Sequence, residues 1–271
     1  MEIMKLLRTI ISIFVVAVLA ACNDKAADKL QCKVQSVYII GASIAYPENT
    51  WFEMGCEQLG MMPINRAVSG TRPTESAIQM SRGEEYSFEE LDSFDVFAIM
   101  HCHEMEVCDE SKLLADYNDY EVQVDMDYSQ AFDHIICRYI DDCRALEYNP
   151  ASQWYGIKGG KPVKIILCTH WHDARVVYNA SVRRLVERWR EYATLCPFDT
   201  EIGFTKDVPD QNGQQVSLQF ACNGINDTEE LYGVVYGWHP TRGRDAEIQQ
   251  RMARIFAKAL QRCLDEENDV Q

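Results

Sequence analysis

The chain has 271 residues, 47% of them hydrophobic and 25% charged, with a formal net charge of −16 at pH 7. These proportions exclude a disordered or fibrous protein and provide material for one large domain or two small ones. The acidic balance excludes general nucleic-acid binding, because polyphosphate is repelled.

Residues 1–22 read as an address. Lys5 and Arg8 make a basic start, and an apolar run from Ile10 to Ala21 follows. That run is shorter than the roughly 20 residues a membrane span needs, and fits the core of a signal peptide. Leu19-Ala20-Ala21-Cys22 resembles a bacterial lipobox. The resemblance implies cleavage after residue 21, a lipid on Cys22 and a protein anchored in the bacterial cell envelope. Residues 22–34 would be a tether and 35–271 the folded domain. The released segment carries Glu2, Lys5 and Arg8, so the body is more acidic still. Charge would not hold it to anionic lipid, and the acyl chain must.

Val37-Tyr38-Ile39-Ile40, ended by Gly41, reads as a buried strand. Glu48 to Leu59 predicts a helix with Trp51, Phe52 and Leu59 inward. Ile64 to Val68 predicts a strand, and Thr74 to Met80 a helix with Glu75 in its first turn. Asp95 to Met100 is a third strand. Between Tyr128 and Leu146 the residues Ala131, Ile135, Ile136, Tyr139, Ile140, Cys143 and Leu146 recur at helical spacing, and Asn149-Pro150 ends the helix. Lys161 to Thr169 carries the continuous apolar run of a central parallel strand. Val176 to Tyr192 and Ala246 to Leu264 are the last helices, with an acidic frayed tail after them.

Short buried strands alternating with helices predict an α/β fold, a three-layer α/β/α sandwich on a central parallel sheet. No linker interrupts the domain. The stretch from about 105 to 160 reads as a helical insertion, placed to cap the carboxyl edge of the sheet. Eleven cysteines include Cys22. Cys102 and Cys108 are the most plausible local disulfide. Cys137 and Cys143 are too far apart along one helix to bridge, and Cys168 fits a strand as a small hydrophobe.

Sites in open α/β sheets gather beyond the carboxyl ends of the strands. Those ends read Gly41-Ala42-Ser43, Ser69-Gly70, His101-Cys102-His103-Glu104 and His170-Trp171-His172-Asp173, and Gly237-Trp238-His239-Pro240 precedes the last helix. Five of the six histidines lie there; His134 lies mid-helix. Singly, each has a plain structural use, Ser43 as a helix cap and Gly70 as a turn residue. The G-x-S-x-G elbow fits poorly, since Ala45 stands where its last Gly belongs.

Together, Gly41-Ala42-Ser43-Ile44, Asn65 to Thr71 and His239-Pro240-Thr241 with Gly243 resemble, in order and spacing, blocks of the SGNH (GDSL-type) hydrolases. The resemblance spans about residues 36–262. It implies a Ser43 nucleophile, His239 as base and Gly70 as an oxyanion donor, with no cofactor. There are three departures. Ala42 stands where the family has Asp, His103 where it has an oxyanion Asn, and Tyr236 where it has the catalytic Asp.

A neutral His103 could donate to the oxyanion as Asn would. A backbone carbonyl, Tyr236, Asp199 or Asp173 could orient His239. The expected activity is ester hydrolysis on a small-molecule or polysaccharide ester, with Trp154, Tyr155, Trp171 and Trp238 available to stack on sugar rings. Two alternatives stand beside it. One is an inactive glycan-binding scaffold, prompted by the missing family residues. The other is a metal-dependent hydrolase built on His101/His103 and His170/His172, each pair followed by an acid and of ligand type suited to zinc.

Overall fold

The computed structural model describes residues 35–47 and 49–265. The expected signal peptide, Cys22 and the tether lie outside the described residues. So does the tail beyond residue 265. Among the described residues, no helix is long and apolar enough to cross a membrane.

Five parallel strands form the central sheet: β1 (Ser36–Gly41), β2 (Met62–Asn65), β3 (Val96–Met100), β4 (Ile165–Cys168) and β5 (Ala193–Cys196), in the order β2-β1-β3-β4-β5. β1, β3 and β4 are buried at every residue, as strands covered on both faces must be. β1 pairs with β2 on one side and β3 on the other, so the chain reverses direction across the sheet between β1 and β3. A crevice opens at such a switch point, beyond the strand ends.

One helical layer pairs α1 (Trp51–Gln58) with α7 (Glu247–Asp265), the long closing helix, with the short α6 (Phe198–Glu201) beside it. Gly55 makes the approach possible: a Cβ there would lie 2.8 Å from the Phe256 ring. Trp51, Phe52, Phe198 and Phe256 pack edge-on or tilted in this layer. On the other face lie α2 (Pro73–Arg82), α4 (Tyr128–Ala145) and α5 (Val176–Arg188), with the short α3 (Phe88–Ser93) before β3. Arg188 of α5 donates to Asp133 of α4 at 3.1 Å. Tyr139 of α4 stacks on Phe97 of β3, centroids 4.5 Å apart. Each such ring contributes about 1.5–3 kcal/mol by leaving water.

The three-layer expectation therefore holds, with four differences. Residues 105–160 are not wholly an insertion. α4 is a layer helix covering the sheet, and the irregular stretch before it carries only single 3-10 turns at Glu110–Lys112 and Tyr117–Asp119. The helix expected to run to Tyr192 ends at Arg188, and Ala193–Cys196 becomes an edge strand. Its four residues are too few for a period of two to be separable from a helical one. Third, a hairpin of β6 (Thr228–Leu231) and β7 (Val234–Gly237) precedes α7. Its turn has Tyr232 at φ 55° and Gly233 at φ 78°, positive at both centres as a type I′ hairpin turn requires. Fourth, Cys102 and Cys108 are both buried free thiols, not a disulfide. Cys137 and Cys143 are likewise free.

Candidate active site

Ser43 is placed by the end of β1. Gly41 pairs with Met100, and a Cβ on it would lie 2.5 Å from the Met100 carbonyl oxygen. Glycine is thus what lets β3 lie alongside here. Ala42 is fully buried, and its N–H donates to Met100 O at 3.1 Å. Ser43 then opens a single 3-10 turn, Ser43–Ala45, and is half-buried. Asn65, ending β2, fastens this turn: its Nδ2 donates to Ala45 O at 2.8 Å and to Glu53 Oε1 at 2.7 Å, while its Oδ1 accepts from Ala67 N at 3.0 Å. The loop reaching Gly70, which sits at φ 87°, is thereby tied to the loop bearing Ser43.

His239 arrives from the other end of the chain. β6 and β7 are in register at Thr228 and Gly237. Trp238 N donates to Asp227 O at 2.8 Å, extending the ladder by one pair. Asp227 therefore lies beside Trp238 and one residue from His239. Cys222 N donates to His239 O at 2.9 Å, holding the other side.

The side chains form a relay. Ser43 Oγ lies 2.8 Å from His239 Nε2, and His239 Nδ1 lies 2.7 Å from Asp227 Oδ1. An ionised carboxylate only accepts, so Nδ1 carries the ring proton and Nε2 keeps a lone pair for the serine. Burial pushes the Asp227 carboxyl up, but hydrogen bonds from the Cys222 thiol and His239 outweigh it and hold it below its ordinary value. It is an anion at neutral pH.

The acid is thus not one of those expected. Asp199 is clamped by Arg183 through two 2.8 Å bonds. Asp173 accepts from Lys206 N at 2.7 Å. Tyr236 is buried with its ring stacked on His172, centroids 5.9 Å apart. Sequence spacing missed Asp227 because the hairpin, not local proximity, carries it to His239.

His103 is half-buried beside Trp238, ring centroids 6.1 Å apart. Burial, then the charge of Arg175, pushes its pKa below the ordinary histidine value, which favours the neutral ring. The other H-x-H histidines do not join it in a metal site. His101 is fully buried, 3.1 Å from Ser76 Oγ, and burial lowers its pKa to about 3. Among the described residues, no donor cluster joins the two pairs.

His170, His172 and Glu229 do lie close, with donor atoms within 4.8 Å of one another. Their bonding does not suit a cation. His172 Nε2 donates to Gly237 O at 2.9 Å and Nδ1 accepts from Ala174 N at 3.2 Å, so both ring nitrogens are committed. Glu229 is paired with Arg175 at 3.1 Å, whose guanidinium would repel a metal. His172 and Glu229 hold the hairpin instead, and His170 stacks on Trp238, ring centroids 5.8 Å apart. Trp171 is fully buried, not exposed for stacking, and its Nε1 donates to Trp238 O at 2.9 Å.

Arg175, which sequence reasoning did not single out, joins three segments. It donates to the carbonyls of Cys102 and Glu104, pairs with Glu229, and lies 4.5 Å over the Trp238 ring. A cavity of about 530 Å³ with a mixed wall opens next to Gly70, lined by Thr71, Glu75, Gln79 and Glu85 together with Ile40, Val68 and Ile78. Of the other aromatics, Tyr155 is exposed and Trp154 and Trp238 are half-buried.

Similar solved structures include a member of the lipolytic G-D-S-L family from Veillonella parvula. It is 13% identical over 84% of this chain and 100% of that one, with a TM-score of 0.46. They also include a carbohydrate esterase family 2 enzyme with a carbohydrate-binding domain from Corynascus thermopiles. It is 13% identical over 85% of this chain and 66% of that one, with a TM-score of 0.44. No curated protein matches the chain. A family model described as a domain of unknown function, DUF5040, matches residues 34–264. With most of its length inside that match, the chain belongs to the DUF5040 family.

Proposed function

We propose that this protein is an exported, lipid-anchored serine ester hydrolase acting through an acyl-enzyme. Its substrate class is an acyl ester of a carbohydrate or another small alcohol, and its anchor is a lipid on Cys22. The observation that carries the reading is the continuous relay from Ser43 through His239 to Asp227. A serine hydroxyl is a weak nucleophile until a base takes its proton. His239 Nε2 accepts that proton as Ser43 Oγ attacks the ester carbonyl. Asp227 stabilises the imidazolium that forms. Backbone N–H groups of Ser43 and Gly70, with a neutral His103, are the proposed donors to the tetrahedral oxyanion. His239 then protonates the leaving alcohol, and water repeats the sequence to release the acid.

The glycan-binding alternative drew on the lack of an acid before His239. Asp227 answers that lack and favours catalysis. The test is a fluorophosphonate probe on the purified mature protein, read by intact mass. A single adduct mapped to Ser43, absent in His239→Ala, is expected. A folded protein that forms no adduct would overturn the reading. For the anchor, incorporation of labelled fatty acid should vanish in Cys22→Ser.

A further inference from the structure

The triad has a fourth member whose chemistry ester hydrolysis does not use. Cys222, half-exposed, donates its thiol hydrogen to Asp227 Oδ2 at 2.8 Å, while Asp227 Oδ1 accepts from His239 Nδ1. A sulfur, a carboxylate oxygen and an imidazole nitrogen thus lie within 4.8 Å of one another. The backbone bonds from Cys222 to His239 and from Trp238 to Asp227 already hold the three segments together. Zinc takes this mixed donor set, at about 2.0–2.3 Å from each atom. Neither Cys222 nor His239 is buried, so a metal has a way in and water can fill a fourth position. Among the described residues, no Lys or Arg side chain pairs with Asp227, in contrast to Glu229 with its Arg175.

We propose that Cys222, Asp227 and His239 form an inhibitory binding site for a borderline-soft divalent cation, Zn²⁺. The inhibition, though not the binding, rests on His239 being the catalytic base. On binding, the Cys222 S–H bond breaks, its proton passes to solvent and a metal–sulfur bond forms. The His239 proton moves from Nδ1 to Nε2, so that Nδ1 coordinates and the ring stays neutral. Asp227 supplies a carboxylate oxygen, and nothing is oxidised or reduced. The bound state points an Nε2–H at Ser43 and has no lone pair there to take the serine proton.

The test uses the full-length protein in detergent, stripped with EDTA. Zinc chloride is titrated by calorimetry, and fluorophosphonate labelling of Ser43 is followed at the same concentrations. Each variant is compared with its own metal-free rate. One bound zinc, labelling slowed at least roughly tenfold and recovery with EDTA are expected. Cys222→Ser, which keeps a hydroxyl donor to Asp227 but loses the thiolate, should weaken zinc binding by roughly tenfold or more. Its labelling should persist at zinc levels that stop the wild type. Equal zinc affinity in Cys222→Ser, or no binding to the wild type at micromolar zinc, would overturn the proposal. A protein that binds zinc through Cys222 but is never labelled would sink the hydrolase reading and leave the metal site standing.

Discussion

Asp227→Asn is the most informative single change. Asp227 accepts on both oxygens, from His239 Nδ1 at 2.7 Å and from Cys222 Sγ at 2.8 Å. An amide has one oxygen, so one of these bonds must go. If the amide NH₂ turns to His239, Nδ1 must become the acceptor, the ring proton moves to Nε2, and the base is lost. If the oxygen turns to His239, the tautomer survives but the negative charge opposing the imidazolium does not. The side chain keeps its volume in either case, so the fold is preserved. The expected loss in kcat is about 10⁴-fold, or about 5.4 kcal/mol of transition-state stabilisation, the size seen for the same change in a serine protease triad. KM should move little, because Asp227 is buried behind the ring. The assay is steady-state hydrolysis of a chromogenic acetate ester, with fluorophosphonate labelling of Ser43 as a second readout and circular dichroism to verify folding. A folded Asp227→Asn enzyme within tenfold of wild type would refute the assignment of Asp227 as the orienting acid.

Tyr236→Phe, at the position where the related motif carries its acid, should stay within roughly threefold of wild-type kcat, since the ring and its packing on His172 are retained. A loss on the scale of Asp227→Asn would reopen that position. Gly41→Ala should lower the urea unfolding free energy by about 3 kcal/mol, because its Cβ meets backbone at 2.5 Å. Gly70→Ala has open space and should cost only about 1–2 kcal/mol for its left-handed conformation; equal losses would contradict this geometry. Glu104 is buried with neither carboxyl oxygen hydrogen-bonded, and burial raises its pKa from 4.5 to about 7. The folded protein therefore keeps a proton that the unfolded chain releases. This group's contribution to stability falls as pH rises from 4.5 to 7, by about 1.4 kcal/mol per pH unit, and levels off above. Glu104→Gln should remove that decline, measured as the change in urea midpoint between pH 5 and pH 7.5; an unchanged decline would refute it.

Read along the chain alone, the buried strands at Val37, Val96 and Ile165 were visible, because central parallel strands are continuous apolar runs bounded by polar turns. Ser43 and His239 were also visible, since they sit in short motifs whose meaning is local. Four elements were not. Ala193–Cys196 was too short to show a period. The β6–β7 hairpin turns on Tyr232-Gly233, without the Asn-Gly or Asp-Gly pair that announces such turns. Asp227 is one acid among 42 Asp and Glu residues, with nothing nearby in sequence to mark it. Arg175 looked like any basic residue at a helix start. The H-x-H pairs erred in the opposite direction. Their spacing matched that of chelating ligands, but the two nitrogens of His172 went to backbone groups and Glu229 went to an arginine. Hydrophobic patterning and local motifs depend on residues a few positions apart, and they determined the layers and marked Ser43 and His239. Which acid faces His239, and whether a histidine is free to bind anything, depends on groups brought together from distant positions. Only the folded hairpin, laying Asp227 beside Trp238, decided those.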